Sequence, residues 1–135
     1  MKRLAGIAAV AFLNPAFAAD WEPVASGDSG LIASVDVSSM SGPRNLRKAW
    51  VRYSYKDFQK GDASSDYRQY RSKVALAYFD CPGKRSATAK IVTYYGENGS
   101  GENLSSKSDP NFAKNLDEVV PDSIGEALLE RVCQR

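Results

Sequence analysis

At 135 residues, 43% of them hydrophobic and 25% charged, the chain has the composition of one modest globular domain, not of a disordered tail or a membrane bundle. It has no histidine, which excludes Ser-His-Asp and Cys-His arrangements, the common zinc sites and the usual proton shuttle near neutral pH. Its formal charge of +2 is too small to argue for nucleic acid or an anionic membrane as partner.

The N-terminus reads as an export signal. Met1-Lys2-Arg3 is basic, residues 4–13 are apolar, and Asn14-Pro15 precedes the small-residue pattern Ala16-Phe17-Ala18. An apolar run this short falls below the roughly 20 residues that span a bilayer, so cleavage before Ala19 is expected in preference to an uncleaved anchor. That divides the chain into a secretory signal peptide, 1–18, and a single domain, 19–135, with no membrane span after cleavage. Loss of Lys2 and Arg3 brings 18 basic residues to 16, level with the 16 acidic ones, so the mature domain is neutral. No cysteine follows the cleavage point to carry a lipoprotein's lipid. The expected location is therefore the periplasm or the cell surface of a Gram-negative bacterium, as an exported soluble product.

Residues 21–24 and 31–36 read as short strands about the turn Ser26-Gly27-Asp28-Ser29-Gly30, and 38–44 as a loop. From 47 to 55 the period is two, with Ala49, Val51, Tyr53 and Tyr55 on one face and Lys48, Trp50, Arg52 and Ser54 on the other. Residues 56–66 are polar and suit a mobile hairpin loop. The next strand, about 70–81, sets Ala75, Ala77, Phe79 and Cys81 opposite Val74, Leu76, Tyr78 and Asp80. Cys81-Pro82-Gly83-Lys84 supplies the proline and glycine of a type II turn leading into an antiparallel partner over 86–95. A glycine-rich turn at 96–101, a short strand over 102–106 and a long crossing segment, 108–121, follow. Ser123 with Glu126 reads as a capping box, and Ile124, Gly125, Leu128, Leu129, Val132 and Cys133 then share one face of a helix. Arg131 and Arg135 stand near the negative end of its dipole.

Cys81 and Cys133 are the only cysteines. Behind an export signal they are expected to pair, pinning the helix to the small-residue face of the sheet; two unpaired thiols flanking apolar segments are the alternative. The fold class is thus α+β, mainly β: a twisted antiparallel sheet of about six strands with a C-terminal helix packed on one face and tethered by a disulfide. Carboxylates such as Asp57, Asp62, Asp66, Asp117 and Glu118 fall on expected loops without apolar flanks to raise a pKa, so they read as solvated charge and no catalytic residue is assigned. Gly96-Glu97-Asn98-Gly99-Ser100-Gly101 lacks the lysine and following helix of a phosphate loop and reads as a turn. Neither a cofactor nor a metal site is indicated. Asn98-Gly99-Ser100 and Asn103-Leu104-Ser105 match the glycosylation pattern, which carries little in a bacterial exported protein. The stretch from Tyr67 to Lys73 interleaves cations with tyrosines, and tyrosine and arginine are common interface anchors. Arg68, Tyr70, Arg71 and Lys73 are accordingly the candidate binding residues, against the plainer reading of a solvated strand entry. Trp50 and Arg52 are a second candidate if the outer sheet face is bare.

The order of these features resembles the surface-adhesin protein E family. The resemblance rests on Trp21, Val35-Asp36, Ala49-Trp50-Val51, the run from Tyr70-Arg71-Ser72 to Phe79-Asp80-Cys81, Lys84-Arg85, Tyr94-Tyr95-Gly96, and Val120-Pro121-Asp122-Ser123 through to Val132-Cys133. It implies a six-stranded antiparallel sheet with a disulfide-bonded C-terminal helix, displayed on the bacterial surface to bind host extracellular proteins such as vitronectin and laminin, and it implies a homodimer formed through an exposed sheet edge or face. The departure is the missing lipid-anchor cysteine. The functional expectation is an exported, non-enzymatic protein-binding domain of this type. A soluble periplasmic inhibitor or envelope accessory protein is the alternative, and a hydrolase using carboxylates alone is a distant third.

Overall fold

The computed structural model describes residues 18–134; apart from Ala18, the signal-peptide reading lies outside the described residues. Among the described residues seven strands and one α-helix follow in order: β1 (Trp21–Ser26), β2 (Ile32–Asp36), β3 (Arg47–Gln59), β4 (Tyr70–Asp80), β5 (Arg85–Tyr94), β6 (Asn103–Ser108), β7 (Asp117–Glu118) and α1 (Ile124–Cys133). The strands form one antiparallel meander in the order β1-β2-β3-β4-β5-β6. Strand β7 adds Asp117 and Glu118 opposite Ser86 and Arg85, so it shares with β6 the edge of β5 that faces away from β4. The expected six strands are present, and the two-residue β7 comes from the stretch read as a crossing segment.

Period-two alternation sets the core. Val35, Val51, Ala75 and Ile91 lie side by side across β2 to β5, and Ala49 lies opposite Ala77 one row away. Because Cβ atoms alternate between faces, all of these project to one side. There Leu128, Leu129 and Val132 of α1 close a core with Val35, Ala49, Val51, Ala75, Ala77 and Phe79. The alanines let the helix approach closely, and a helix of ten residues draws its stability from such docking more than from propensity.

The ends of α1 are closed by side chains. The Ser123 hydroxyl accepts the Glu126 N–H at 3.2 Å, while the Glu126 carboxylate accepts the Asp122 N–H at 2.9 Å. The reciprocal half of the box is therefore shifted one residue upstream of the expected pattern. At the other end Arg47 Nε donates to the Val132 carbonyl at 2.9 Å and Arg44 Nη1 to the Cys133 carbonyl at 2.8 Å. These cations satisfy helix-end carbonyls and lie at the negative end of the dipole. Arg131 instead pairs with Glu22 on β1, and Arg135 lies outside the described residues. The Cys81–Cys133 disulfide is formed, with Cα atoms 5.8 Å apart.

Two local expectations change. The 81–84 turn closes with the Lys84 N–H to the Cys81 carbonyl at 3.3 Å, but the left-handed residue is Lys84, at φ 53°, and not Gly83. A type II turn needs that conformation at its third residue, so the type II reading fails. Gly83 serves another purpose, since a Cβ there would lie 2.4 Å from Oδ2 of Asp80, whose carboxylate holds Arg85. The second change is at 56–66. Strand β3 continues to Gln59, so Asp57 is on a strand, as are Asp117 and Glu118. The reason is Phe58, which packs on Tyr95 with ring centroids 4.8 Å apart and anchors an otherwise polar extension.

Candidate functional site

Beyond Gln59 the chain crosses the helix-bearing face at the end not covered by α1, and it is a built loop. Asp62 caps the 3-10 turn Ala63–Ser65 through the Ser64 N–H at 2.9 Å, and Ser65 returns its hydroxyl to the Asp62 N–H at 3.0 Å. Ser65 is fully buried, and the Thr93 hydroxyl of β5 donates to the Ser64 carbonyl at 2.7 Å. Lys73 of β4 reaches the Asp62 carboxylate at 3.3 Å, and Lys107 of β6 reaches that of Asp66 at 2.9 Å. The loop is thus fastened to three strands.

What this scaffold presents is Tyr67. Its backbone N–H donates to the Asp62 carbonyl at 2.8 Å, and Gly61 lies so close beneath that a Cβ on it would sit 2.3 Å from the Tyr67 carbonyl carbon. Asp66 and Tyr67 both take left-handed backbone, at φ 52° and 61°. A bulky side chain seldom adopts that conformation. Tyr67 is 78% exposed, the most exposed of the large hydrophobic residues described.

The four residues singled out in the sequence fall into two contact sets around this tip. Arg68 forms a two-pronged pair with Glu102, at 2.9 and 3.0 Å, and Arg71 stands 3.5 Å from Glu97 with its guanidinium 4.2 Å from the Phe58 ring centroid. Both belong to the side where the β5–β6 connection folds back. Lys73 turns to the built loop, its ammonium 4.5 Å from the Tyr70 ring. Tyr70 is buried, edge-on to Tyr55 at 6.3 Å, so it supports the surface and is not part of it. Of the four, Arg68 is the one that lies well exposed beside Tyr67.

The charges are largely matched. Arg68 holds the Glu102 carboxyl below the usual carboxylate range by hydrogen bonding, and Glu102 raises Arg68 in turn. The Ser64 hydroxyl and then Lys73 lower the Asp62 carboxyl. Burial pushes the Tyr55 phenol up, aided by Tyr70. The resulting surface is an exposed aromatic ring beside a neutralised, hydrogen-bonding rim, a combination suited to docking a protein. Tyr67 opens the recognition stretch read from the sequence, but nothing local tells which of its two tyrosines is exposed, and the candidate set took Tyr70, which is the buried one. The available signal was Asp62-Ala63-Ser64-Ser65 behind Gly61, a capping pattern that marks an ordered turn.

Among the described residues no group of three or more metal-binding side chains converges, and no helix is long and apolar enough to cross a membrane. The face away from α1 carries Trp50 and Leu76 half-buried, with the connection at 96–101 folded over Ser54 and Ser72. That face is therefore bare only in part.

Comparison with known proteins follows the same lines. No curated protein matches in sequence. The fold is similar to that of a crystal structure of protein E from non-typeable Haemophilus influenzae, with TM-score 0.52, 13% identity and 84% of each chain covered. The selenomethionine form of Haemophilus influenzae protein E gives TM-score 0.54 at 14% identity, over 83% of this chain and 92% of that one. Crystal form II gives 0.54 at 12%, over 86% and 95%. Identities this low carry the fold alone. A family model described as surface-adhesin protein E matches residues 21–134, from the start of β1 past the end of α1, and the chain belongs to that family.

Proposed function

We propose that this is an exported, non-enzymatic adhesion domain that docks a protein partner on the Tyr67 tip and the adjoining Arg68–Lys73 segment, with host matrix proteins such as vitronectin or laminin as the partner class. The observation that supports this most is Tyr67 itself, an exposed ring on strained backbone that a capped, glycine-dependent loop holds in place. Strain of this kind costs about 1–3 kcal/mol and persists only where surrounding structure enforces it. Arg68 adds a planar hydrogen-bonding fork beside the ring, and Arg71 and Lys73 set the edges of the surface. Family membership supports surface display.

The test is binding of the oxidised protein to immobilised vitronectin and laminin, with Tyr67→Ala and Arg68→Ala measured singly and together. Loss of a central anchor weakens an interface by about 2 kcal/mol or more, roughly thirtyfold in Kd. Unchanged affinity in the double variant removes the tip as the binding site, and no binding to either protein removes the partner class. Protease treatment of intact cells reads the location: the domain is cleaved if displayed and protected if it stays behind the outer membrane.

A further inference from the structure

On the face away from α1 a cavity of about 220 Å³ lies between β1 and the connection at 96–101. Its floor is formed by Ser34, Arg52 and Ser54, which project to one side from β2 and β3; Trp21 and Ile32 wall it, and Lys56 stands at its rim. Arg52 is unusual there. Its guanidinium lies 4.5 Å from the centre of the Trp21 ring, and its Nε is buried without a hydrogen-bond partner. Among the described residues no carboxylate pairs with Arg52 or with Lys56. Glu97 does line the cavity, but it faces Arg71, which stands 3.5 Å from it on the other side. Arg71 Nε is likewise unpartnered, yet Arg71 has Glu97 as an ion-pair partner where Arg52 has none among the described residues.

Arg52 lines the cavity and has no carboxylate of its own, so its guanidinium is a ready anchor for an acceptor that enters; Nε itself is shut off from solvent and is not the contact point. The favoured acceptor is anionic, because Arg52 and Lys56 both line the cavity while the one carboxylate there, Glu97, faces Arg71. It must also be small and partly apolar. The cavity is below the roughly 300 Å³ of ordinary drug-sized pockets, and the Trp21 and Ile32 walls, Ile32 being 48% exposed, offer apolar surface beside the charge.

We propose that this cavity binds a carboxylate borne on a small apolar group, with Arg52 as the anchor, Lys56 as the steering charge and Trp21 as the wall. The carboxylate belongs either to the end of a peptide or to a free small acid. The site shares no residue with the Tyr67 tip, and it stands or falls independently of adhesion.

Nitrogen-15 NMR titration of the oxidised protein tests it, reading the Trp21 indole N–H and the Arg52 Nε–H. N-acetyl-leucine is expected to shift both signals saturably while N-acetyl-leucinamide, which lacks the charge, shifts neither, and the Trp50 indole stays in place. Arg52→Gln is expected to weaken binding about tenfold or more, the worth of a charge-assisted bond. Its melting temperature is expected to stay level, since the glutamine amide takes the place of Nε and the apolar stem against Trp21 is kept. A second arm compares a short peptide ending in a free leucine carboxylate: tighter binding than N-acetyl-leucine names a peptide terminus, and weaker binding names a free acid. Absence of saturable shifts, equal shifts with the amide, equal affinity in Arg52→Gln, or preference for inorganic phosphate each overturns the proposal.

Discussion

Gly61 decides where Tyr67 points. With a Cβ at 61 meeting the Tyr67 carbonyl carbon at 2.3 Å, neither backbone can stay in place. Gly61→Ala is therefore expected to destabilise the domain by about 1–3 kcal/mol, as overpacking does, and to displace the loop. Urea unfolding reads the first effect, and the Tyr67 ring signals in NMR read the second; an unchanged midpoint would mean that the loop relaxes freely. Residue-scale chemistry was legible only in part. Arg68, Arg71 and Lys73 stood out as cations, but the carboxylates opposing the two arginines come from 34 and 26 positions away, across a strand connection that no local pattern reveals. Polar composition at 56–66 hid order for the same reason: the Phe58 partner is Tyr95, and Ser65 is buried by β5 and β6.

At the level of elements, α1 was the most legible piece, because a Ser123–Glu126 start and a one-sided apolar stripe are both local signals. Its C-terminal carbonyls are satisfied by Arg44 and Arg47, and that was invisible, since both approach from the entry to β3. The helix is held by three kinds of contact: apolar burial, the two arginines and the disulfide. In the loop-entropy model a cross-link closing 52 residues contributes about 4 kcal/mol, a large share of a domain stability of roughly 5–15 kcal/mol. Replacing both cysteines by alanine is expected to lower unfolding free energy by about that amount, and reductant should have no further effect on the variant. Denaturant titration checks both statements. A loss of only a few tenths would show that packing and the arginines suffice to seat the helix.

Over the whole molecule, the stability of the ion pairs has a defined dependence on acidity. Hydrogen bonding from Arg131 holds the Glu22 carboxyl low, Arg85 and then the Gly83 N–H do so for Asp80, and Arg68 does so for Glu102. A carboxyl lowered in the folded state stabilises it fully above the ordinary value of about 4, and that contribution is lost as pH falls through the lowered values. The melting temperature is thus expected to be flat from neutral pH down to about 5 and to drop below 4, with thermal scans across that range as the check. A rise on acidification would contradict the pairs. The meander was readable because each strand neighbours the next and alternation marks each one. Strand β7 was not, since two residues carry no period. The sequential order has one more effect. Chain growth from the N-terminus lets each hairpin zip onto its predecessor as it emerges, but Cys81 then carries a lone thiol until Cys133, 52 residues later, has followed. Intrachain oxidation thereby waits for α1, and a product cut short before Cys133 betrays itself by its unpaired sulfur.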